Sequence, residues 1–308
     1  MQIFGIAMIE LSNNISTPEM AREFIMSCEK SFFTELDNAV VDLMRGNDKR
    51  IIALSGPTCS GKTTTATRLI KEINDSGHQA VVLSIDDFFR DREYRNRVDL
   101  EAPDYDSVKA IDLAYLQYFI GRLMEGKSVL IPKYSFTETA RVGYNEYIPK
   151  PHDIYVIEGI QAVYPEITSM FKEYGYKSVF ISVTDDVCYS GTVVPANDIR
   201  LARRIVRDYK FRGAIPEFSF HLWHGVRDNE ERNIFPNSRS CDVYINSFLP
   251  YELFVIQKFA LPLLDGVPAD SEYRDEADEL SAKLSVFRND LFDDRMIPNN
   301  SVFREFIG

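Results

Sequence analysis

The chain has 308 residues, 45% of them hydrophobic, enough for a large core in one or two domains. A net charge of −12 and a pI near 4.9 argue against a nucleic-acid-coating surface and against binding to anionic membranes, though a pocket with a few local cations can still take a nucleotide. The four cysteines, Cys28, Cys59, Cys188 and Cys241, lie far apart without CxxC spacing, so neither a disulfide framework nor a zinc site is indicated.

No apolar run approaches the ~18 residues of a membrane span. Met1 to Ile9 is apolar but short, with no basic start and no small-residue cleavage pattern, so it does not read as a signal peptide. A cytoplasmic protein is the expectation. Residues 1–48 form a helical extension before the core. Ser16 or Thr17 can cap its helix, with Pro18 in the first turn and Glu19 completing a capping box. Phe24, Cys28, Phe32, Leu36, Ala39 and Leu43 follow at helical spacing and read as packing.

The core, residues 49–265, opens on the most informative stretch. Gly56-Pro57-Thr58-Cys59-Ser60-Gly61-Lys62-Thr63 matches the phosphate-loop pattern G-x-x-x-x-G-K-[ST]. Arg50–Ser55 before it reads as a buried strand, and Thr64–Ile73 after it as a helix with Ala66, Leu69, Ile70 and Ile73 on one face. Glycines let backbone N–H groups converge, and the helix N-terminus adds positive potential. Gly56 to Thr64 are therefore the expected nucleotide-binding residues. Lys62, expected to stand exposed, reaches the outer phosphates, and the Thr63 hydroxyl ligates Mg²⁺.

Further strands are expected at Gln79–Ser84, Ser128–Ile131, Ile154–Ile157, Ser178–Val183 and Asp242–Ile245, with helical patterns between most of them. This alternation implies an α/β fold with a mainly parallel sheet covered on both faces and functional residues at strand C-terminal ends. Gln79–Ser84 runs into Ile85-Asp86-Asp87-Phe88-Phe89. A carboxylate there can hold Mg²⁺ or accept the proton of an attacking hydroxyl, or simply cap a helix. Arg200, Arg203, Arg204 and Arg207 share one helical face, Arg212 precedes Gly213, and Ile199, Ala202 and Val206 form a separate apolar face. Guanidinium groups of this kind clamp phosphate, or pair with acids such as Asp198 and Asp208. The tail, 266–308, carries Tyr273, Ala277, Leu280, Leu284, Phe287 and Leu291 at spacings of three and four, read as one docked helical extension. The histidines His78, His152, His221 and His224 show no metal or triad spacing.

Over roughly residues 50 to 308 the chain resembles the uridine kinase and phosphoribulokinase family of phosphate-loop kinases, more narrowly its bacterial uridine kinase-like nucleoside kinases. The ordered motifs behind the resemblance follow the phosphate loop: Ile85–Phe89, Tyr105–Asp112, Ile131–Phe136 with Arg141, Val156–Ile160, Asp198–Asp208 with Arg212-Gly213, Ile297–Ser301 and Arg304–Gly308. The resemblance implies that Asp86 is the catalytic base, with Lys62 and Arg207 completing the catalytic set. It implies that Asp106 binds ribose hydroxyls beside Tyr105, that Tyr134 lines the base pocket with Arg141 at its edge, and that Glu158 lies near Mg²⁺ with Thr63 and Asp86. It makes residues about 195–240 a mobile lid, in which Arg207 and Arg212 meet phosphate and Arg204 faces the nucleoside.

The expected activity is Mg²⁺-dependent transfer of the ATP γ-phosphate to a nucleoside 5′-hydroxyl. The partner is a small molecule, with neither nucleic acid nor membrane, and homo-oligomerisation is left open. Where the familiar Tyr-Asp-Phe segment and its following histidine are expected, this chain has Ser135 and Thr139, and Ala214 replaces a second lid arginine. These departures fall where base and sugar are read, so a sugar phosphate, a pantothenate-like alcohol, or a poorly catalytic nucleotide-sensing switch are the alternatives.

Overall fold

The computed structural model describes residues 8–12, 14–45, 50–91 and 107–308. Tyr105 and Asp106 therefore lie outside the described residues. The central layer is a five-stranded parallel sheet built from β2 (Ile51–Ser55), β3 (Gln79–Ser84), β6 (Asp153–Glu158), β7 (Tyr176–Ser182) and β10 (Val243–Asn246). Its spatial order is β10-β7-β2-β6-β3. Every residue of β2 and β6 is buried. Strands with both faces covered need such continuous apolar runs, and the sheet supplies that cover with helices.

β2 sits at the middle, so the loop that leaves its C-terminal end emerges between β6 and β7. That is where open α/β sheets place their ligands. Helix α2 (Lys62–Asp75) follows the loop, burying Ala66, Leu69 and Ile73. Ser84 and Glu158 end their strands directly opposite one another, which brings Asp86 and Glu158 to the same edge as the loop.

The expected strand at Ser128–Ile131 belongs elsewhere. Strand β4 (Val129–Ser135) pairs antiparallel with β5 (Ala140–Tyr147) as a separate two-stranded sheet. It mixes buried Val129, Pro132 and Tyr134 with exposed Leu130 and Lys133, a pattern suited to a sheet partly wet and not to the covered central layer. Sequence reasoning also missed β1 (Met8–Glu10), which joins β8 (Asp186–Tyr189) and β9 (Thr192–Val194) in a third small sheet. Helix α3 (Leu113–Met124) begins at the Asp112 cap and backs the aromatic cluster around Phe88. Helix α4 (Pro165–Phe171) follows β6.

Helix α1 (Pro18–Met44) starts as its residues dictate: the Thr17 hydroxyl accepts from the Met20 amide at 3.2 Å and Pro18 occupies the first turn. Its buried face includes Cys28, Phe32, Leu36, Ala39 and Leu43. The segment expected to form a lid holds α5 (Ala196–Arg212), α6 (Pro216–Asn229), a π-helical turn at Glu230–Ile234 and α7 (Phe235–Ser238). Beyond β10 lie α8 (Glu252–Asp265), α9 (Arg274–Ser285) and α10 (Arg304–Ile307). The tail helix stops at Ser285, short of the expected Leu291. The Asn289 side chain accepts from the Leu291 amide at 3.0 Å, a local bond that competes with helix continuation. Among the described residues, no helix is long and apolar enough to cross a membrane.

One buried acid on α1 gives the fold a pH dependence. Glu29 is only 1% exposed and accepts a 2.5 Å hydrogen bond from the Tyr251 hydroxyl. Burial pushes its carboxyl above the usual range, and bonds from Ser301 and Tyr251 with the charge of Arg304 offset only part of that. A raised folded-state pKa means the protonated form is favoured. That stabilisation is complete below the unfolded pKa of about 4.3 and is lost as pH rises through the folded value. Glu29→Gln keeps an acceptor for Tyr251 and removes the titration. It is expected to raise the melting temperature at pH 8, with the gain shrinking towards pH 4; thermal melts at both pH values measure this.

Candidate active site

The phosphate loop is shaped by two glycines. A Cβ on Gly56 would stand 2.1 Å from the Ile181 carbonyl oxygen of β7, so any side chain there would push the loop off the sheet. Gly61 has φ +84°, and a Cβ there would meet Val302 at 2.5 Å. Helix α2 then begins, leaving its first amides without intrahelical partners. Thr63 is exposed at this start. Lys62 is half-buried instead of standing free as expected, because its ammonium folds back to donate to the Pro57 carbonyl at 2.9 Å. A phosphate would offer it a charged acceptor in place of that neutral one.

The arginine stripe of α5 divides into two sets with different work. Arg200 and Arg203 are 1% and 0% exposed. Arg200 pairs bidentately with Glu230 at 2.6 and 2.7 Å and donates to the Thr58 carbonyl at 3.3 Å. Arg203 pairs bidentately with Glu252 at 3.1 and 2.6 Å and donates to the Cys59 carbonyl at 3.1 Å. Arg203 also bonds the Ser247 carbonyl and hydroxyl and packs its guanidinium over Phe306. Both therefore hold the loop from behind, through its carbonyls, leaving its amides to face the cleft. Burial disfavours the Glu230 charge, but Arg200 and Arg227 outweigh it and hold that carboxyl below its ordinary range.

The second set surrounds a single buried acid. Asp208 is 3% exposed. Arg207 donates to it at 2.9 and 2.7 Å, and Arg204 and Arg212 each approach it to 3.4 Å. All three arginines line the cleft. Asp208 gathers three cations with one charge, so the group keeps a net positive potential towards the loop. The other acid expected to neutralise this helix, Asp198, bonds Lys283 instead, at 2.7 Å.

Of the adjacent aspartates, only one faces this space. Asp86 lines the cleft with the loop residues Thr58 to Thr63. Asp87 turns away and accepts from the Tyr134 amide at 3.1 Å, tying the hairpin to the end of β3; burial raises its carboxyl above the ordinary range. Glu158 ends β6 in the cleft, 7% exposed, and accepts from the Ser84 hydroxyl at 2.6 Å. Thr63, Asp86 and Glu158 thus bring one hydroxyl and two carboxylates to one cleft. No group of three His, Cys, Asp or Glu among the described residues forms a metal cage. Mg²⁺ fits such a sparse set, since it keeps waters and takes its remaining ligands from phosphates.

The cleft, about 950 Å³, has two further groups of lining residues. One is the apolar set Phe89, Phe136 and Ile160; the other, from α6 and the π-helical turn, is Leu222, Gly225 and Val226 with the polar Asp228, Asn229, Arg232 and Asn233. Tyr134 does not line the cleft; it is 8% exposed and packs edge-on to Phe89 at 5.5 Å and Phe136 at 5.3 Å. Phe136, which sequence reasoning did not single out, is the half-exposed ring of this cluster that the cleft reaches. Arg141 is drawn into packing, bonding Asp112 at 3.1 Å and the Phe88 carbonyl at 3.2 Å, and does not line the cleft. His221 and His224 bond Tyr273 and Glu276 on the exposed side of α6.

Residues 51–251 match the model of the Phosphoribulokinase / Uridine kinase family. The chain belongs to this family. Among curated relatives of this family member, the uridine kinase of Schizosaccharomyces pombe is 33% identical over 172 residues, covering 53% of this chain and 33% of its own. The uridine-cytidine kinase A of Dictyostelium discoideum is 27% identical over 267 residues, covering 80% of this chain and 50% of its own. The chain thus spans between a third and a half of these two relatives. The solved phosphoribulokinase from Rhodobacter spheroides is 16% identical, with a TM-score of 0.42 over 62% of this chain and 68% of its own.

Three further residues that line the cleft in this family member were not expected there from the sequence. Asn229 and Asn233 sit at the π-helical turn, where Asn233 Nδ2 donates to Asn229 Oδ1 at 2.5 Å. Asn229 is 8% exposed and its own amide nitrogen has no hydrogen-bond partner among the described residues. Glu305 reaches the cleft from α10, far along the chain. The spacing of Asn229 and Asn233 by four was visible, but nothing in it signals a cleft.

Removing one partner of a fully buried pair leaves an uncompensated charge. Arg203→Met should therefore lower stability by about 3–5 kcal/mol, because Glu252 is left without its cation. Urea denaturation of both proteins measures this. A loss under 1 kcal/mol would mean that the pair is solvated in solution.

Proposed function

We propose that the protein is a Mg²⁺-dependent kinase that transfers the γ-phosphate of ATP to the 5′-hydroxyl of a nucleoside. The observation that carries the reading is the placement of Asp86. It shares one cleft with the phosphate loop, Glu158 and the Arg204–Arg207–Arg212 group, while its neighbour Asp87 is committed to the hairpin.

The loop amides and Lys62 hold the β- and γ-phosphates. Thr63 and Glu158, directly or through water, would hold Mg²⁺, which would supply positive charge to offset that of the phosphates. Asp86 accepts the proton of the acceptor hydroxyl as its oxygen bonds to the γ-phosphorus and the β–γ bridging P–O bond breaks. Arg207 and Arg212, already clustered beside the loop, meet the charge that develops on the transferred group. ADP and the phosphate monoester leave.

The names of the relatives, uridine kinase and uridine-cytidine kinase, support a nucleoside acceptor. The apolar wall of Phe89 and Phe136 suits a planar base. Uridine itself is a narrower claim. Ser135 accepts from the Glu138 amide at 3.1 Å and Thr139 bonds the Phe136 carbonyl at 3.3 Å, so both are engaged in their own turn. Polar recognition of the base falls to Asn229 and Asn233, which line the same cleft. The role of Asp106 in binding ribose remains part of the proposal and rests on the sequence motif.

ADP release with a panel of nucleosides and sugar alcohols tests the activity. Release that depends on a nucleoside supports the reading; slow release indifferent to any acceptor would replace it with a nucleotide switch. Asp86→Asn is expected to lower kcat by about 10²–10⁴-fold with little change in ATP binding. Asp87→Asn should cost stability more than kcat. Finding Asp87 to be the kinetically sensitive position would remove the base assignment. Asn229→Leu should raise the KM of the preferred nucleoside about tenfold or more without altering that of ATP, since one buried hydrogen bond is lost.

A further inference from the structure

A carboxylate stands on the donors that a nucleotide phosphate would use. Glu305 Oε2 accepts from the Thr64 hydroxyl at 2.8 Å and from the Thr64 amide at 3.4 Å. The first amide of α2 that bonds back along the chain is that of Thr65, to the Gly61 carbonyl at 3.0 Å. The Thr64 amide is therefore one of the orphan donors of the helix start, the group that phosphate loops turn towards their α- and β-phosphates. Glu305 also lines the cleft.

The segment carrying Glu305 is fixed in place. Phe306 and Ile307 are buried, and Val302 lies against Gly61. Arg304 donates to the carbonyls of Asp294, Ile297 and Gly308, and Lys210 donates to that of Ile307. These contacts hold the backbone of the segment, so any change at Glu305 falls to its side chain.

We propose that Glu305 occupies the place of the innermost phosphate of the donor nucleotide and thereby sets nucleotide affinity. A carboxylate and a phosphate cannot share the Thr64 donors, and two anions at that separation repel. Nucleotide binding must therefore turn the Glu305 side chain away, and it costs affinity to do so. A cation stands within reach of the displaced charge: burial works against the Arg207 charge, but Cys59, Asp208 and Glu305 together raise its pKa above the ordinary value. A weakened hold on nucleotide favours release of ADP after transfer.

Calorimetric titration with ADP, in the absence of any acceptor, tests this independently of the nucleoside reading. Glu305→Gln should tighten ADP binding by about tenfold, within the usual span of such couplings. Tripolyphosphate, which has neither ribose nor base, should show the same gain. An unchanged or weaker ADP affinity would overturn the proposal and make Glu305 a ligand of the nucleotide or a purely structural cap. A gain confined to ADP, absent for tripolyphosphate, would also overturn it. Glu305→Asp is the second variant should the neutral side chain lower stability. It keeps the charge but is one methylene shorter, so ADP affinity should fall between those of wild type and Gln, with thermal melts reporting that both variants are folded.

Discussion

The site depends on how the phosphate loop is held from behind. A loop that turns its amides towards a ligand leaves its carbonyls pointing the other way, where they need donors. Here the donors are Arg200 and Arg203, bonded to the Thr58 and Cys59 carbonyls. Two cations placed so deep require anions, and Glu230 and Glu252 supply them in bidentate geometry. Buried pairs of this kind add little net stability but fix orientation, because each group is costly without its partner. The two acids come from the π-helical turn and the start of α8, so three distant segments of chain converge on one short loop.

This arrangement explains why a helix can carry five arginines in an acidic protein without clamping itself shut. The turn that faces the loop's back is neutralised within the core. The turn that faces the cleft shares one acid, Asp208, among Arg204, Arg207 and Arg212. The positive potential is therefore confined to the side where a transferred phosphoryl group would sit. The paired carboxylates follow the same logic of division. Asp87 is tied to the hairpin backbone, which leaves Asp86 in the cleft.

The parts of this account legible in the sequence were those with local signatures. The glycines, Lys62 and Thr63 of the loop follow a fixed spacing, and the buried β2 and β6 centre on the apolar runs Ile51–Leu54 and Ile154–Ile157. The division of the arginine stripe was not legible. Spacing by three and four places Arg200, Arg203, Arg204 and Arg207 on one broad face, but the outcome depends on partners 30 to 49 residues away. The run Ser128–Ile131 reads as one more central strand because so short a segment carries no sign of its pairing partner. Pairing is decided by the exposed alternate positions that follow it. Glu305 acquires its place only because the tail packs Phe306 beneath Arg203, a contact across more than a hundred residues.

Hydrogen exchange followed by mass spectrometry in Glu252→Gln tests the bracing most directly. The substitution keeps the shape of the side chain and leaves Arg203 without its counter-charge. Amides of residues 56–64 are predicted to exchange faster than in the unaltered protein, while those of the β4–β5 hairpin, on a separate sheet, stay unchanged. Loop protection equal to that of the unaltered protein would contradict the account, since the loop would then hold its shape without the buried arginine pair.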